Sequence, residues 1–237
     1  MSAEGRLSGR IALVTGASRG IGAAVAKRFA REGAEVIITA KTQGGLEEVD
    51  DAIRSEGGKA VILPLDLTDF SKIDHMGAAI FERFKKLDIL VGNAGFLGDL
   101  TPMSHLEPKI WDRVMNLNVT ANYRLIRSMD PLLRQSDAGR AIFVTSGTTK
   151  AARAYWAAYA VSKAALEHMV QIYAEENAKT NIRANLIDPG ATRTRMREIA
   201  YPGEDPATLK TPDDVAEHFV ALAEASCDKQ GEVIRVG

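Results

Sequence analysis

Cysteine is almost missing from this chain. Cys227 stands alone, which excludes an internal disulfide and fits a reducing compartment. No apolar run approaches the roughly 18–20 residues that a membrane-spanning helix needs. The opening stretch MSAEGRLSGR lacks the apolar core of a secretion signal. Neither sign of charge is in excess: 30 basic residues stand against 31 acidic ones. That balance excludes nucleic-acid binding through bulk charge. The histidines His75, His105, His168 and His218 are widely spaced, and no Cys/His cluster suggests a metal site. The expectation is a cytoplasmic protein with no metal, no nucleic acid and no membrane partner.

What is present is an ordinary globular composition, 46% apolar and 26% charged, long enough for one domain over 1–237. Short apolar runs alternate with amphipathic stretches. The strand candidates are Ile11–Thr15, Glu35–Thr39, Val61–Leu65, Ile89–Val91, Ala141–Thr145, Ile182–Ile187 and Glu232–Val236. Most are near-continuous apolar runs, as expected of strands buried on both faces of a parallel sheet. Between them, Gly20–Glu32 places Ile21, Val25 and Phe29 on one helical face, with Gly33 as a stop signal. Gln43–Glu56 does the same with Leu46, Val49 and Ile53. Repeated strand–helix–strand units predict an α/β fold: a Rossmann-like, doubly wound, seven-stranded parallel sheet flanked by helices. The least regular stretch, Ala191–Thr211, is expected to be a substrate loop or a plain surface connection.

The first strand runs directly into TGASRGIG, Thr15 to Gly22. Gly16 allows a tight exit from the strand, Gly20 lets the backbone approach a pyrophosphate, and Gly22 lets helix and strand pack closely. The free amides at the helix start then face an anion. Such a turn between strand and helix points to a dinucleotide. At the end of the second strand, Ala40 and Lys41 stand where an NAD site usually carries an acidic residue. Lys41 and Arg19 are cations placed to meet a 2′-phosphate, so NADP(H) is expected over NAD(H).

Tyr159 and Lys163 lie four residues apart in the alanine-rich stretch Ala154–Glu176, a spacing that puts both on one helix face. An ammonium beside a buried phenol is expected to lower its pKa from the ordinary value of about 10. Such a phenol exchanges a proton with a substrate carbonyl or alcohol.

Five motifs occur in order: TGASRGIG, the GNAG of Gly92–Gly95, Ser146, the YAVSK of Tyr159–Lys163, and Pro189-Gly190 with Thr194 beyond. In this combination the chain closely resembles the short-chain dehydrogenase/reductase family over about residues 7 to 237. The resemblance implies hydride transfer between a nicotinamide and a carbonyl or alcohol carbon, on the pro-S face. Tyr159 would be the general acid/base, Lys163 would tune it and bond the nicotinamide ribose, and Ser146 would hydrogen-bond the substrate oxygen. Asn118, favoured over Asn116 by the alignment of Trp111–Val119, would support a water leading protons to the lysine. Asp66 would bond the adenine amine, with the Leu67 backbone beside it. Asn93, Ala94 and Gly95 would line the adenosine side, and Pro189, Gly190 and Thr194 would frame the nicotinamide. Ser18 and Ile21 of the glycine-rich turn complete the implied cofactor set.

The chain departs from that family pattern in places. Gly92 replaces the first of a common asparagine pair, which implies one lost structural hydrogen bond. Asp188 stands before Pro189 where a small residue is often found. It would either shape specificity or bind an arginine. Arg193, Arg195 and Arg197 form a basic cluster that reads as solvated surface charge rather than as a site for an anionic acyl carrier or thioester. The family also implies a homodimer or homotetramer built through the stretches Pro108–Leu133 and Ala154–Asn177. Two other functions compete: a cofactor-sensing or scaffold protein without turnover, and an NAD-dependent alcohol dehydrogenase.

Overall fold

A computed structural model describes residues 5–237; residues 1–4 of the expected domain lie outside the described residues. In chain order the elements are β1 (Ile11–Thr15), α1 (Gly20–Arg31), β2 (Glu35–Ala40), α2 (Gln43–Ser55), β3 (Lys59–Pro64), α3 (Phe70–Phe84) and β4 (Ile89–Gly92). There follow α4 (Pro108–Met115), α5 (Ala121–Leu133), β5 (Arg140–Val144), α6 (Ala157–Glu176), β6 (Arg183–Asp188), α7 (Arg195–Ala200), α8 (Pro212–Ala223) and β7 (Val233–Arg235).

The strands form one seven-stranded sheet in the order β3-β2-β1-β4-β5-β6-β7, and every pairing is parallel. The Rossmann-like architecture expected from the alternating pattern is therefore present. Chain direction across the sheet reverses between β1 and β4, and a ligand crevice forms outside the strand ends at such a point.

Two apolar layers cover the sheet. On one side α1, α2 and α8 bury Val25, Phe29, Leu46, Ile53, Phe219 and Val220 against β1, β2 and β5. On the other, α3, α5 and α6 bury Ile73, Ile80, Leu125, Met129, Leu166 and Val170 against β4, β5 and β6. Helix ends follow local chemistry. Gly33 takes a φ of 90° just beyond α1, a conformation that favours glycine. Thr211 and Asp214 form a reciprocal capping box at the start of α8, with Pro212 in its first turn.

Three stretches differ from the sequence expectation. The edge strand β3 begins at Lys59, two residues before the apolar run, because its outer face is partly exposed and carries little apolar signal. The stretch Pro108–Leu133 is not one regular helix: between α4 and α5 the backbone widens into a π turn over Asn116–Thr120. The irregular segment 191–211 carries structure of its own. A parallel bridge joins Thr192 to Lys210 at its stem, and α7 and a short 3₁₀ turn at Pro206–Thr208 fill the interior.

Candidate active site

A cleft of about 1590 Å³ opens beyond the carboxyl ends of the strands. Its first wall is the turn between β1 and α1. Gly16 has a φ of 64°, and a Cβ there would stand 2.9 Å from the Ala94 Cα. A Cβ on Gly22 would collide with the Gly16 carbonyl, so the two glycines let turn, helix and β4 close on one another. At the start of α1, Arg19 makes no side-chain cap. The first-turn amides, including those of Gly20 and Ile21, therefore have neither a capping side chain nor an intrahelical acceptor. They face the cleft, as do Ser18 and Arg19. This is a cradle shaped for a phosphate, and the residues present fit a dinucleotide.

The adenosine end is built by β2 and β3. Lys41 Nζ lies 2.7 Å from Asp66 Oδ2, so two residues expected at the cofactor are already neighbours. The lysine, with Thr68, holds the Asp66 carboxyl down to about 2. Asp66 also accepts the Thr68 amide at 3.0 Å and its hydroxyl at 2.7 Å. It does not cap α3, whose N-terminal flanking residue is Asp69. Leu67 lines the cleft beside it.

The floor at the switch point comes from β4. Thr15 Oγ1 accepts the Asn93 and Ala94 amides at 3.0 and 3.1 Å and donates to the Val91 carbonyl at 3.0 Å. Asn93 returns a bond from Nδ2 to the Thr15 carbonyl at 2.9 Å. Thr15 had no signal beyond its place in the glycine-rich motif, yet it ties the two central strands together at the cleft. Gly92 has a steric reason to be glycine: a Cβ there would collide with the Phe143 ring and stand 2.6 Å from Asn122 Oδ1. Gly92→Asn is expected to destabilise the fold by about 3 kcal/mol through overpacking. In urea titrations Phe143→Leu should return at least about 1 kcal/mol of that loss, a coupling expected only of groups in contact. Additive effects of the two substitutions would disprove the contact as the cause.

The opposite end of the cleft gathers the residues expected to carry chemistry. Tyr159 and Lys163 project from the first turns of α6 and are 8% and 3% exposed. Lys163 Nζ donates to the Val144 carbonyl at 2.8 Å and lies 5.7 Å from the Tyr159 ring centroid. Burial drives the Tyr159 phenol up to about 12, while the Ser146 hydroxyl opposes the rise and the Asp188 charge adds to it. Burial also drives Lys163 down to about 8. The expected lowering of the tyrosine by its neighbouring amine is thus not what the fold imposes. Withdrawal from water is the largest cause, and the Lys163 proton is directed at a backbone carbonyl rather than at the phenol.

Ser146 follows β5 and opens a 3₁₀ turn, its Oγ accepting the Thr148 amide at 3.3 Å. Glu167, one turn beyond Lys163, braces this loop from behind. It accepts the Thr145 hydroxyl at 2.7 Å and the Thr149 hydroxyl at 2.9 Å. Sequence reasoning missed Glu167, although its i+4 spacing from Lys163 puts it on the same helix face.

Asn118 sits in the π turn, fully buried. Its Oδ1 accepts the Phe96 amide at 2.8 Å, and its Nδ2 donates to the Phe96 carbonyl at 3.0 Å and to Ser162 Oγ at 2.9 Å. Its side chain therefore stands behind the cleft rather than in it, whereas Asn116 lines the cleft. Asn118 Oδ1 and Lys163 Nζ flank Gly95, at 3.5 and 3.6 Å from where a Cβ would be. Ser162 passes the contact on, donating to the Tyr159 carbonyl at 2.7 Å. Pro189, Gly190 and Thr194 close this end, and Thr194 caps α7 by accepting the Arg197 amide at 3.2 Å.

The outer wall is aromatic. The chain enters α6 through Tyr155, whose φ is 73°. Trp156 then stands edge-on to Tyr159 with ring centroids 5.9 Å apart, and equally far from Tyr201. The arginine cluster is largely committed to its own segment. Arg195 pairs with Glu198 at 2.8 Å, and Arg197 pairs with Glu204 at 2.6 Å while stacking 3.7 Å over Tyr201.

The sequence pattern of the family described as short chain dehydrogenase matches residues 10–205. The oxidoreductase YciK of Escherichia coli K12 is 42% identical over 219 residues, covering 91% of this chain and 86% of its own. A short chain dehydrogenase from Shigella flexneri, solved in complex with NADP, superposes with a TM-score of 0.94 at 40% identity over 98% of both chains. One from E. coli CFT073, in complex with NADPH, gives 0.94 at 39% identity over 98% of both chains. Among the described residues, no helix is long and apolar enough to cross a membrane. Family pattern, sequence identity and superposition agree: this chain belongs to the short chain dehydrogenase family.

Proposed function

We propose that the chain is an NADP(H)-dependent oxidoreductase that moves a hydride between the nicotinamide and the carbon of a carbonyl or alcohol, with Tyr159 as general acid in reduction and general base in oxidation. The observation that carries this reading is a convergence. Tyr159, Ser146 and Lys163 meet at one end of a cleft whose wall presents uncapped helix amides. NADP and NADPH in the two solved relatives support the same choice of cofactor.

The turn amides and Gly16–Gly22 would hold the pyrophosphate, Lys41 and Arg19 the 2′-phosphate, and Asp66 and Leu67 the adenine. Pro189, Gly190 and Thr194 would hold the nicotinamide end, with Asn93, Ala94 and Gly95 along the middle. The dinucleotide supplies the hydride; the protein supplies position and the proton. Ser146 Oγ orients the substrate oxygen and stabilises charge on it as the carbonyl carbon is reduced. The high pKa of Tyr159 keeps its proton in place at neutral pH, the state a general acid requires. Lys163, buried beside it, favours the phenolate left behind. Asn118 and Ser162 fix the backbone around both groups.

NADPH oxidation measured over ketones, aldehydes and 3-oxoacyl thioesters tests the activity; absence of turnover across all three classes leaves a cofactor-binding protein instead. Lys41→Ala tests the cofactor. Its side chain is 75% exposed and free to turn from Asp66 to a phosphate. The ratio of kcat/KM with NADPH to that with NADH should fall at least about tenfold, the loss of one charge-assisted contact. An unchanged ratio would take Lys41 out of cofactor selection.

A further inference from the structure

Asp188 ends β6 at the reacting end of the cleft, 7% exposed. A buried carboxylate normally has a cationic or hydrogen-bonding partner for each oxygen. Here Oδ1 accepts the Gly190 amide at 3.1 Å. Oδ2 accepts nothing from the described residues, and it faces Gly147 at 3.3 Å from where a Cβ would stand. An arginine partner is not supplied by the overlying segment. Arg195 and Arg197 are held by Glu198 and Glu204, and Arg193 is exposed.

The location narrows what Oδ2 can meet. Gly147 directly follows Ser146, and Asp188, Gly147, Ser146 and Tyr159 all line the cleft. The Asp188 charge is near enough to push the Tyr159 phenol upward. The free oxygen therefore faces the residue that follows Ser146, on the side of the cleft that holds the two groups addressing the reacting oxygen.

Building on the oxidoreductase reading above, we propose that Asp188 is a specificity-determining residue: its free carboxylate oxygen accepts a hydrogen bond from a donor on the carbon next to the reacting carbon and repels a carboxylate there. The preferred substrate class is then α-hydroxy or α-amino ketones and the corresponding vicinal diols or amino alcohols. Ketones with a plain alkyl neighbour are accepted less well, and α-keto acids are rejected. Leaving a buried acceptor without its donor is costly, so a site of this kind discriminates strongly against the analogue that lacks the donor.

The aromatic wall of Trp156 and Tyr201 makes aryl ketones suitable probes. The test compares α-hydroxyacetophenone, α-aminoacetophenone, propiophenone and phenylglyoxylate with NADPH, in the wild type and in Asp188→Asn. The amide keeps an acceptor for Gly190 and nearly the same volume. The wild type should favour a donor-bearing ketone over propiophenone by at least about tenfold in kcat/KM. Asp188→Asn should remove most of that preference and raise phenylglyoxylate turnover at least about tenfold, with NADPH affinity held within about twofold. The hydroxy and amino arms distinguish the two donor sources. Asp188→Ser, with a melting curve, serves if the amide variant does not fold.

Unchanged selectivity in a folded variant would overturn the assignment. So would an equal loss on every substrate accompanied by weakened NADPH binding, which would give the carboxylate to the nicotinamide carboxamide. A second readout separates this inference from the reductase reading. If the wild type reduces none of the ketones, that reading fails, and binding of 1-phenyl-1,2-ethanediol against mandelate to the NADP-loaded protein still decides. Tighter diol binding that is lost in Asp188→Asn upholds the role of Asp188, and equal binding refutes it.

Discussion

Tyr159→Phe is expected to lower kcat by at least about a thousandfold, within the range that a lost general acid–base group produces. The substitution removes one oxygen and leaves the ring. Edge-on packing against Trp156 at 5.9 Å is therefore kept, and NADPH affinity and melting temperature should stay close to the wild type. The direction of pH dependence follows from the same group. Burial holds the Tyr159 phenol at about 12, so reduction has its proton donor throughout the neutral range. Oxidation needs the phenolate and should accelerate as pH rises. Residual turnover within about tenfold of the wild type would remove the phenol from the chemistry.

Lys163→Met is expected to do two opposed things: abolish turnover and stabilise the protein. The folded state holds the lysine at about 8 against an ordinary 10.5, with burial as the cause. Keeping that ammonium protonated inside the fold therefore costs roughly 3 kcal/mol at neutral pH. Methionine fills a similar volume without charge, though it gives up the 2.8 Å bond to the Val144 carbonyl, worth about 1 kcal/mol. The net gain should be about 2 kcal/mol, or about 5 °C in Tm. Below pH 8 both folded and unfolded chains carry the proton and the penalty is complete. As pH climbs from about 8 to 10.5 the folded state sheds its proton first, so the wild type gains stability and the gap to the variant closes. Thermal melts across this window provide the check, and a gap that does not change with pH would rule out buried charge as its origin.

The sheet was legible because helices cover both of its faces, which turns β1, β2 and β4 into near-continuous apolar runs such as IALVT. The same rule fails at β3, where partial exposure dilutes the pattern and Lys59 joins the strand without an apolar mark. The ends of the cleft were legible because glycine spacing and the Tyr159–Lys163 interval are steric and chemical requirements written in consecutive residues. What lies between them was not. The π turn that withdraws Asn118 from the cleft needs one altered hydrogen-bond register, and no side-chain period announces it. The fit of Gly92 to Phe143 joins residues far apart in sequence, so Gly92 read alone suggested only a missing asparagine contact. The direction of the Tyr159 pKa was misread for a related reason: a residue pair reveals the neighbouring cation but not how much water the fold removes.

The Thr192–Lys210 bridge has an evolutionary consequence. Lys210 also grips the Val236 carbonyl at 2.5 Å, so the stem of this excursion is moored to the edge of the sheet independently of what lies between. The interior is held mainly by local bonds, such as Arg197 to Glu204 and Ala207 to Asp205, with Tyr201 reaching out to Trp156. Its residues can therefore be exchanged as a cassette, like a tool head on a fixed handle. New reagent preferences can arise there by grafting, while Ser146, Tyr159 and Lys163 stay anchored on β5 and α6.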